Sequence, residues 1–186
     1  MIQRSRIIPD LTSFGGERIE DERGWFQKIL TTRMPGLGRF RVAEIFSSSS
    51  HQGVVRGMHF QVPPEGHDKI VIVVHGSILD VCLDLRAGEG YGTVEAIHLG
   101  SGPSLARALW VPEGIAHGFQ VLSECAEVLY LTTSPYSPQH DRGIKFDSFG
   151  FSWPLPPSVL SDRDTKHPPF SLFDTPFLGD GRMAGE

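Results

Sequence analysis

One stretch, VVRGMHFQVPPEGHDKIVIVVHG, carries Arg56, His59 and Lys69 within runs of Val and Ile. Such runs predict buried strands, and a buried arginine or lysine without a partner is strongly unfavourable. A pocket that receives an anion removes the difficulty. Histidine titrates near neutral pH and is the usual general base, so His59 in such a pocket points to proton transfer. A second histidine, His117, follows Pro112 and Gly114 in PEGIAHGF, a turn that can aim the next side chains into a barrel mouth. Of the eight histidines, His51, His67, His75, His98, His140 and His167 lie at apparent loop or strand ends, where a solvated role is expected.

Metal binding is the competing use of these histidines. The Pro112-x-Gly114-x-x-His117 spacing occurs in many cupin metal barrels, which also need an earlier His-x-His pair. Here that stretch reads His59-Phe60-Gln61, so the second ligand is absent. Zinc and non-haem iron sites want three protein ligands. The ligand count favours metal-free acid–base chemistry, with no metal and no cofactor.

Strands must position these groups. The 21 glycines and 14 prolines are spread along the chain and disfavour long helices. Strand candidates are Trp25–Thr31, Val42–Ser47, Val54–Gln61, Lys69–Val74, Ser77–Leu85, Gly92–Leu99, Ala108–Val111, Ala116–Leu122 and Ala126–Thr133. Turn signals recur at the spacing of an all-β sandwich or barrel. In Ser77–Leu85, Ile78, Asp80, Cys82 and Asp84 alternate with Leu79, Val81, Leu83 and Leu85. The segment from Pro154 is rich in Pro and Asp and is expected to be irregular with short helical turns. Residues 179–186 are expected to form a flexible tail.

The 186 residues suit one domain over 1–186. A net charge of −5 with scattered signs gives no footprint for nucleic acid. The two cysteines, Cys82 and Cys125, lie in apolar runs and do not form a disulfide framework. No apolar stretch is long enough to span a membrane, and the first 31 residues lack the apolar region of a signal peptide. A cytoplasmic location is expected.

Several linked pieces resemble one family, the dTDP-4-dehydrorhamnose 3,5-epimerases. They are DERGWF (21–26), VVRGMHFQ (54–61), Lys69 in HDKIV, GSILDVCLDLR (76–86), LWVPEGIAHGF (109–119), AEVLYLTTSPYSP (126–138), Trp153-Pro154 and LSDRD (160–164). The resemblance implies a cupin-type jelly roll, a homodimer and activity without a metal. It implies a nucleotide-diphosphate sugar substrate, a dTDP-linked 4-keto-6-deoxyhexose inverted beside its C4 ketone. By the same resemblance His59 matches the base, Asp164 the carboxylate that orients it, Tyr130 the acid on the opposite face and Lys69 the cation near the enolate oxygen. His117 matches a polar residue of the sugar pocket. Arg56 and Arg23 match residues that meet the diphosphate or substrate, and Tyr136 an aromatic near nucleotide or sugar. Asp141 stands where the family often has glutamate, and Arg163 beside Asp164 counts with the substrate-binding residues. Asp80 and Asp84 are read as scaffold, and Asp21, Arg23 and Gly24 have an alternative reading as a plain turn.

The sequence also departs from the family pattern. Glu44 and Phe46 occupy the places of an amide pair that meets substrate. Lys28 stands where a glutamate often follows DERGWF, and Leu131 replaces a lysine after Tyr130. These positions, counted with the substrate-binding set, leave open the sugar and whether C3, C5 or both are inverted. The rivals are a single-site epimerase on another nucleotide-linked keto-sugar, a non-catalytic sugar-nucleotide-binding cupin and a cupin metalloenzyme.

Overall fold

The computed structural model describes residues 2–102 and 105–178; the expected tail, 179–186, lies outside them. Among the described residues, thirteen strands run in chain order: β1 (Ile2–Arg4), β2 (Thr12–Phe14), β3 (Arg18–Asp21), β4 (Gly24–Gln27), β5 (Glu44–His51), β6 (Val55–Gln61), β7 (Lys69–His75), β8 (Ser77–Asp84), β9 (Val94–Gly100), β10 (Ala108–Val111), β11 (Ile115–Val121), β12 (Cys125–Thr132) and β13 (Asp141–Gly143). One short helix, α1 (Asp162–Thr165), and a 3-10 turn at Phe170–Leu172 follow, as expected beyond Pro154. Another 3-10 turn spans Leu37–Arg39.

The strands form an antiparallel jelly roll. A six-stranded sheet has the order β1-β2-β10-β7-β12-β5, and a five-stranded sheet the order β13-β6-β11-β8-β9. Among the described residues, the hairpin β3-β4 pairs only with itself. Between the two sheets, Val71, Leu109 and Val128 of the first meet Ile78, Cys82 and Phe119 of the second.

Both outer faces are covered as well. Phe14, Ile70, Ile72 and Trp110 pack under Leu37, Met34 and Phe40. Leu79, Val81 and Leu83 pack under Ile144, Phe177 and the aromatics Phe151, Trp153 and Phe170 of the C-terminal segment. This double cover explains why KIVIVV reads as an unbroken apolar run: neither face of β7 meets solvent along most of its length. Trp110 and Trp153 are packing residues.

Two corrections concern the strands. The candidate Trp25–Thr31 shortens to β4, ending at Gln27. Strands β1, β2, β3 and β13 were not anticipated. They have three or four residues each, too few to show a period.

Candidate active site

Strand β6 carries Arg56 and His59, and β11 carries His117, all in the five-stranded sheet. Strands β5, β7 and β12 of the facing sheet carry Glu44, Phe46, Lys69 and Tyr130. These side chains line one cavity of about 320 Å3 between the sheets, with Tyr136, Asp141 and Arg163 at its rim. The size suits a sugar-sized ligand. A larger cavity of about 500 Å3 lies elsewhere, lined by Ser5, Glu17, Glu95 and His98, and it lacks the facing base and acid.

Local backbone features fix the histidines. Gly57 has φ of +144°, and a Cβ there would come within 2.5 Å of Gly118 Cα on β11. Two glycines thus let β6 and β11 approach where the register shifts between His117 and Phe119. Next to this irregularity His59 and His117 sit directly opposite each other.

His59 Nε2 lies 2.7 Å from Asp164 Oδ1. Asp164 is 3% exposed and sits in the first turn of α1, where its N–H donates to Ser161 Oγ. The Gly57 N–H donates to the other carboxylate oxygen at 3.3 Å. Burial alone would raise the Asp164 pKa, but the bond and charge of His59 and the Gly57 N–H outweigh it and leave it lowered. Burial lowers the His59 pKa below its ordinary value, against the opposing pull of Asp164, with Arg163 and Lys69 adding to the lowering. The imidazole is therefore neutral at pH 7. With Nε2 turned to Asp164, Nδ1 is the nitrogen left to accept a proton.

On the facing sheet, Tyr130 is 6% exposed, with its hydroxyl 3.1 Å from Ser48 Oγ. Its ring stacks on Phe46, centroids 4.7 Å apart. Burial raises its pKa well above the ordinary tyrosine value, so it holds its proton. Burial lowers Lys69 to about 8, and Asp80 and Asp141 oppose that fall. Lys69 thus remains a cation at neutral pH.

The rim is a network of polar groups. Arg163 binds Asp141 through Oδ1 at 2.8 Å and Oδ2 at 2.7 Å. The Tyr136 hydroxyl donates to Asp141 Oδ2 at 3.3 Å, and its backbone N–H donates to Glu44 Oε2 at 2.8 Å. One Glu44 oxygen is thereby engaged by the protein itself. Arg56 is exposed at the mouth, where its Nε donates to Ser50 Oγ at 2.9 Å.

Arg23 and Lys28 do not join this cavity. Arg23 sits in the β3-β4 turn, exposed and paired with Asp21, and Lys28 is exposed just beyond β4. Within the chain, the plain-turn reading of Asp21, Arg23 and Gly24 is the one the geometry matches.

Other residues come to the site unanticipated. Asp80, read as scaffold, is fully buried and lies 2.8 Å from His117 Nε2, forming a second His–Asp pair. Its signal was legible: a carboxylate in an apolar strand needs a partner. Asp84 does serve as scaffold, bonded to Arg86 at 2.6 Å. His67, expected in solvent, lines the cavity, and burial followed by the Lys69 charge lowers its pKa to about 3. Outside the cavity lining, His167 packs edge-on against His59, with centroids 5.6 Å apart. Gln61, in the place of a metal histidine, ties loops together: its Nε2 donates to Glu65 O at 2.7 Å and its Oε1 accepts from Ser137 N at 2.6 Å.

Comparisons with known proteins agree with this geometry. Residues 5–171 match the family model for dTDP-4-dehydrorhamnose 3,5-epimerase. A Shigella flexneri protein named dTDP-4-dehydrorhamnose 3,5-epimerase is 36% identical over 163 residues, covering 84% of this chain and 89% of the relative. The Legionella pneumophila epimerase RmlC, solved with dTDP-4-keto-L-rhamnose, superposes with a TM-score of 0.84 at 30% identity over 94% of each chain. NovW of Streptomyces spheroides, a 4-keto-6-deoxy sugar epimerase, gives 0.84 at 32% identity, covering 92% of this chain and 88% of NovW. With its jelly roll and its matching length, the chain belongs to the dTDP-4-dehydrorhamnose 3,5-epimerase family.

Proposed function

We propose that the protein inverts carbon centres beside the C4 ketone of a dTDP-linked 4-keto-6-deoxyhexose, at C3 and C5, in deoxysugar biosynthesis. One observation carries the reading: a neutral histidine bonded to a buried carboxylate faces a protonated tyrosine across one cavity, on opposite sheets. A proton can then leave one face of the sugar and arrive on the other.

His59 Nδ1 takes the proton alpha to the ketone, and Asp164 stabilises the imidazolium that results. The C–H electron pair becomes the enolate, with charge on the ketone oxygen. Lys69 holds that oxygen, and His117, backed by Asp80, lies in the same cavity. Tyr130 donates its proton to the opposite face of the carbon. Arg56 at the mouth meets the diphosphate. The Arg163–Asp141 pair and Tyr136 border the nucleotide end. Glu44 and Phe46 face the sugar, since Glu44 is held by the Tyr136 N–H.

The assembly belongs to the same reading. Residues 1–186 act as one domain in the cytoplasm, as a homodimer. The β3-β4 hairpin exposes Ile19, Trp25 and Phe26 at 58%, 47% and 61%, an apolar surface suited to a second copy. Arg23 and Lys28 travel on that hairpin. Sedimentation of a Phe26→Asp variant checks it: a dimer is expected for the parent and a monomer for the variant.

A second reading, inversion at one carbon only, is favoured by Phe46, whose ring lies against the acid Tyr130. Incubation of dTDP-4-keto-6-deoxyglucose in heavy water, followed by NMR, separates the readings. Deuterium at C3 and C5 supports double inversion, and deuterium at one carbon supports the second. No exchange with any 4-keto nucleotide sugar overturns catalysis and leaves a binding protein. His59→Ala is expected to lower turnover by roughly 10^2–10^4-fold.

A further inference from the structure

We propose that His59, Asp164 and His167 form a binding site for a divalent transition-metal ion such as Zn2+, and that the bound ion switches the enzyme off by capturing its base. The ligand atoms of the three residues lie within 4.8 Å of one another. Two of the separations are already short: His59 Nε2 to Asp164 Oδ1 at 2.7 Å and His167 Nε2 to the same oxygen at 3.6 Å. Two imidazoles and a carboxylate make a donor set that zinc favours, with a fourth position for water. The sequence could not assemble three ligands because His167 follows His59 by more than a hundred residues.

A second observation singles out His167. Its Nε2 is buried and is among the side-chain atoms without a hydrogen-bond partner, while the Asp164 carboxylate lies just beyond bonding reach. An orphaned imidazole nitrogen aimed at a carboxylate is a ligand in waiting. The fold makes room for this ring: a Cβ on Gly143 would come within 2.3 Å of His167 Nε2. Asp164 is also held in place, by the Gly57 N–H and by the turn that Ser161 caps. The nearby cations Arg163 and Lys69 oppose the ion, so the site discriminates in favour of metals that bind imidazole strongly over hard cations.

The chemistry balances without any co-reactant. Metal binding takes the Nε2 lone pair of His59, and the single proton of the neutral ring passes from Nε2 to Nδ1 by exchange with solvent. The metal-bound neutral imidazole then carries its one proton on Nδ1, so Nδ1 has no lone pair to accept the substrate proton. His167 does not line the substrate cavity, and the ion sits behind His59, so the sugar still binds. Inhibition is therefore expected in kcat with KM unchanged.

The inhibitory part rests on the epimerase reading; the binding part does not. The test uses the full chain, treated with chelator and then freed of it. Titration with Zn2+ by calorimetry should give one ion per chain at this site, and Co2+ should develop visible bands of low-coordinate geometry. His167→Ala should weaken binding at least as much as loss of an outer-shell partner does, roughly 10–100-fold. The metal-free variant should turn over within about twofold of the parent, since the base and acid are intact. In the parent, Zn2+ should lower kcat and EDTA should restore it. If His167→Ala does not fold, His167→Gln serves the same comparison. No binding by Zn2+, or equal binding by the variant, overturns the site. Inhibition that raises KM instead overturns its position behind the base. If no substrate turns over, the calorimetry and the Co2+ spectrum still decide the site.

Discussion

Lys69 illustrates how much one residue can do when burial and charge act together. Its pKa is lowered to about 8, whereas that of His59 is lowered below the ordinary histidine value. The base works only when neutral and the lysine only when charged. The profile of kcat/KM against pH is therefore expected to be a bell. It should fall on the acid side below pH 6.5 and on the alkaline side near pH 8. Lys69→Arg should remove the alkaline limb, because guanidinium keeps its charge; a limb that persists would assign it to another group. Asp164→Asn should lower kcat by roughly 10^2-fold or more, through loss of the charge that stabilises imidazolium. Single-turnover kinetics would show this as slower chemistry at unchanged substrate affinity. At this scale the sequence was partly legible. His59 and Lys69 announce themselves as polar groups in apolar strands, whereas Tyr130, which alone reads equally as a core tyrosine, is assigned through resemblance. Asp164 is visible only through resemblance, since its partner is distant in sequence. His67 and His167 were missed because their character comes from neighbours brought close by folding, whereas Asp80, a legible carboxylate in an apolar strand, was read as scaffold.

The close approach of β6 and β11 is the element on which the site depends. A Cβ on Gly118 would meet Met58 Sδ at 2.7 Å, Arg56 O at 2.9 Å and Gly57 Cα at 3.0 Å. Backbone atoms cannot move aside cheaply, so Gly118→Ala should push the two strands apart. A loss of about 1–3 kcal/mol of stability is expected. Activity should fall further than stability, because His59 and His117 face each other across this pair. Urea denaturation and turnover measured on the same preparation check both. Among the elements, the long central strand β7 was legible because packing on both faces leaves a continuous apolar run. The edges were not, because three-residue strands gain their order from the neighbours they join.

For the molecule as a whole, acid should be the characteristic stress. His59, His67 and His167 all have lowered pKa values in the fold, His67 at about 3. Unfolded histidine titrates near about 6.5. Between those values the unfolded chain binds protons that the folded chain refuses. Stability is therefore complete above about 6.5 and falls as pH drops toward 3. The lowered pKa of Asp164 adds stability that is present above about 3.9 and lost on further acidification. Melting temperatures measured from pH 7 to pH 4 should decline steadily, and less steeply in His67→Gln. A flat profile would show that these imidazoles take up protons without cost. A last consequence comes from the placement of base and acid on different sheets. The layer of Val71, Leu109, Val128, Ile78 and Phe119 is the spacer that sets the gap between them. Facing sheets stand about 10 Å apart, and a closely packed interior transmits strain. The sandwich is thus a calliper whose jaws are His59 and Tyr130, so turnover should respond to hydrostatic pressure and to a methyl group removed from the spacer, far from any substrate atom.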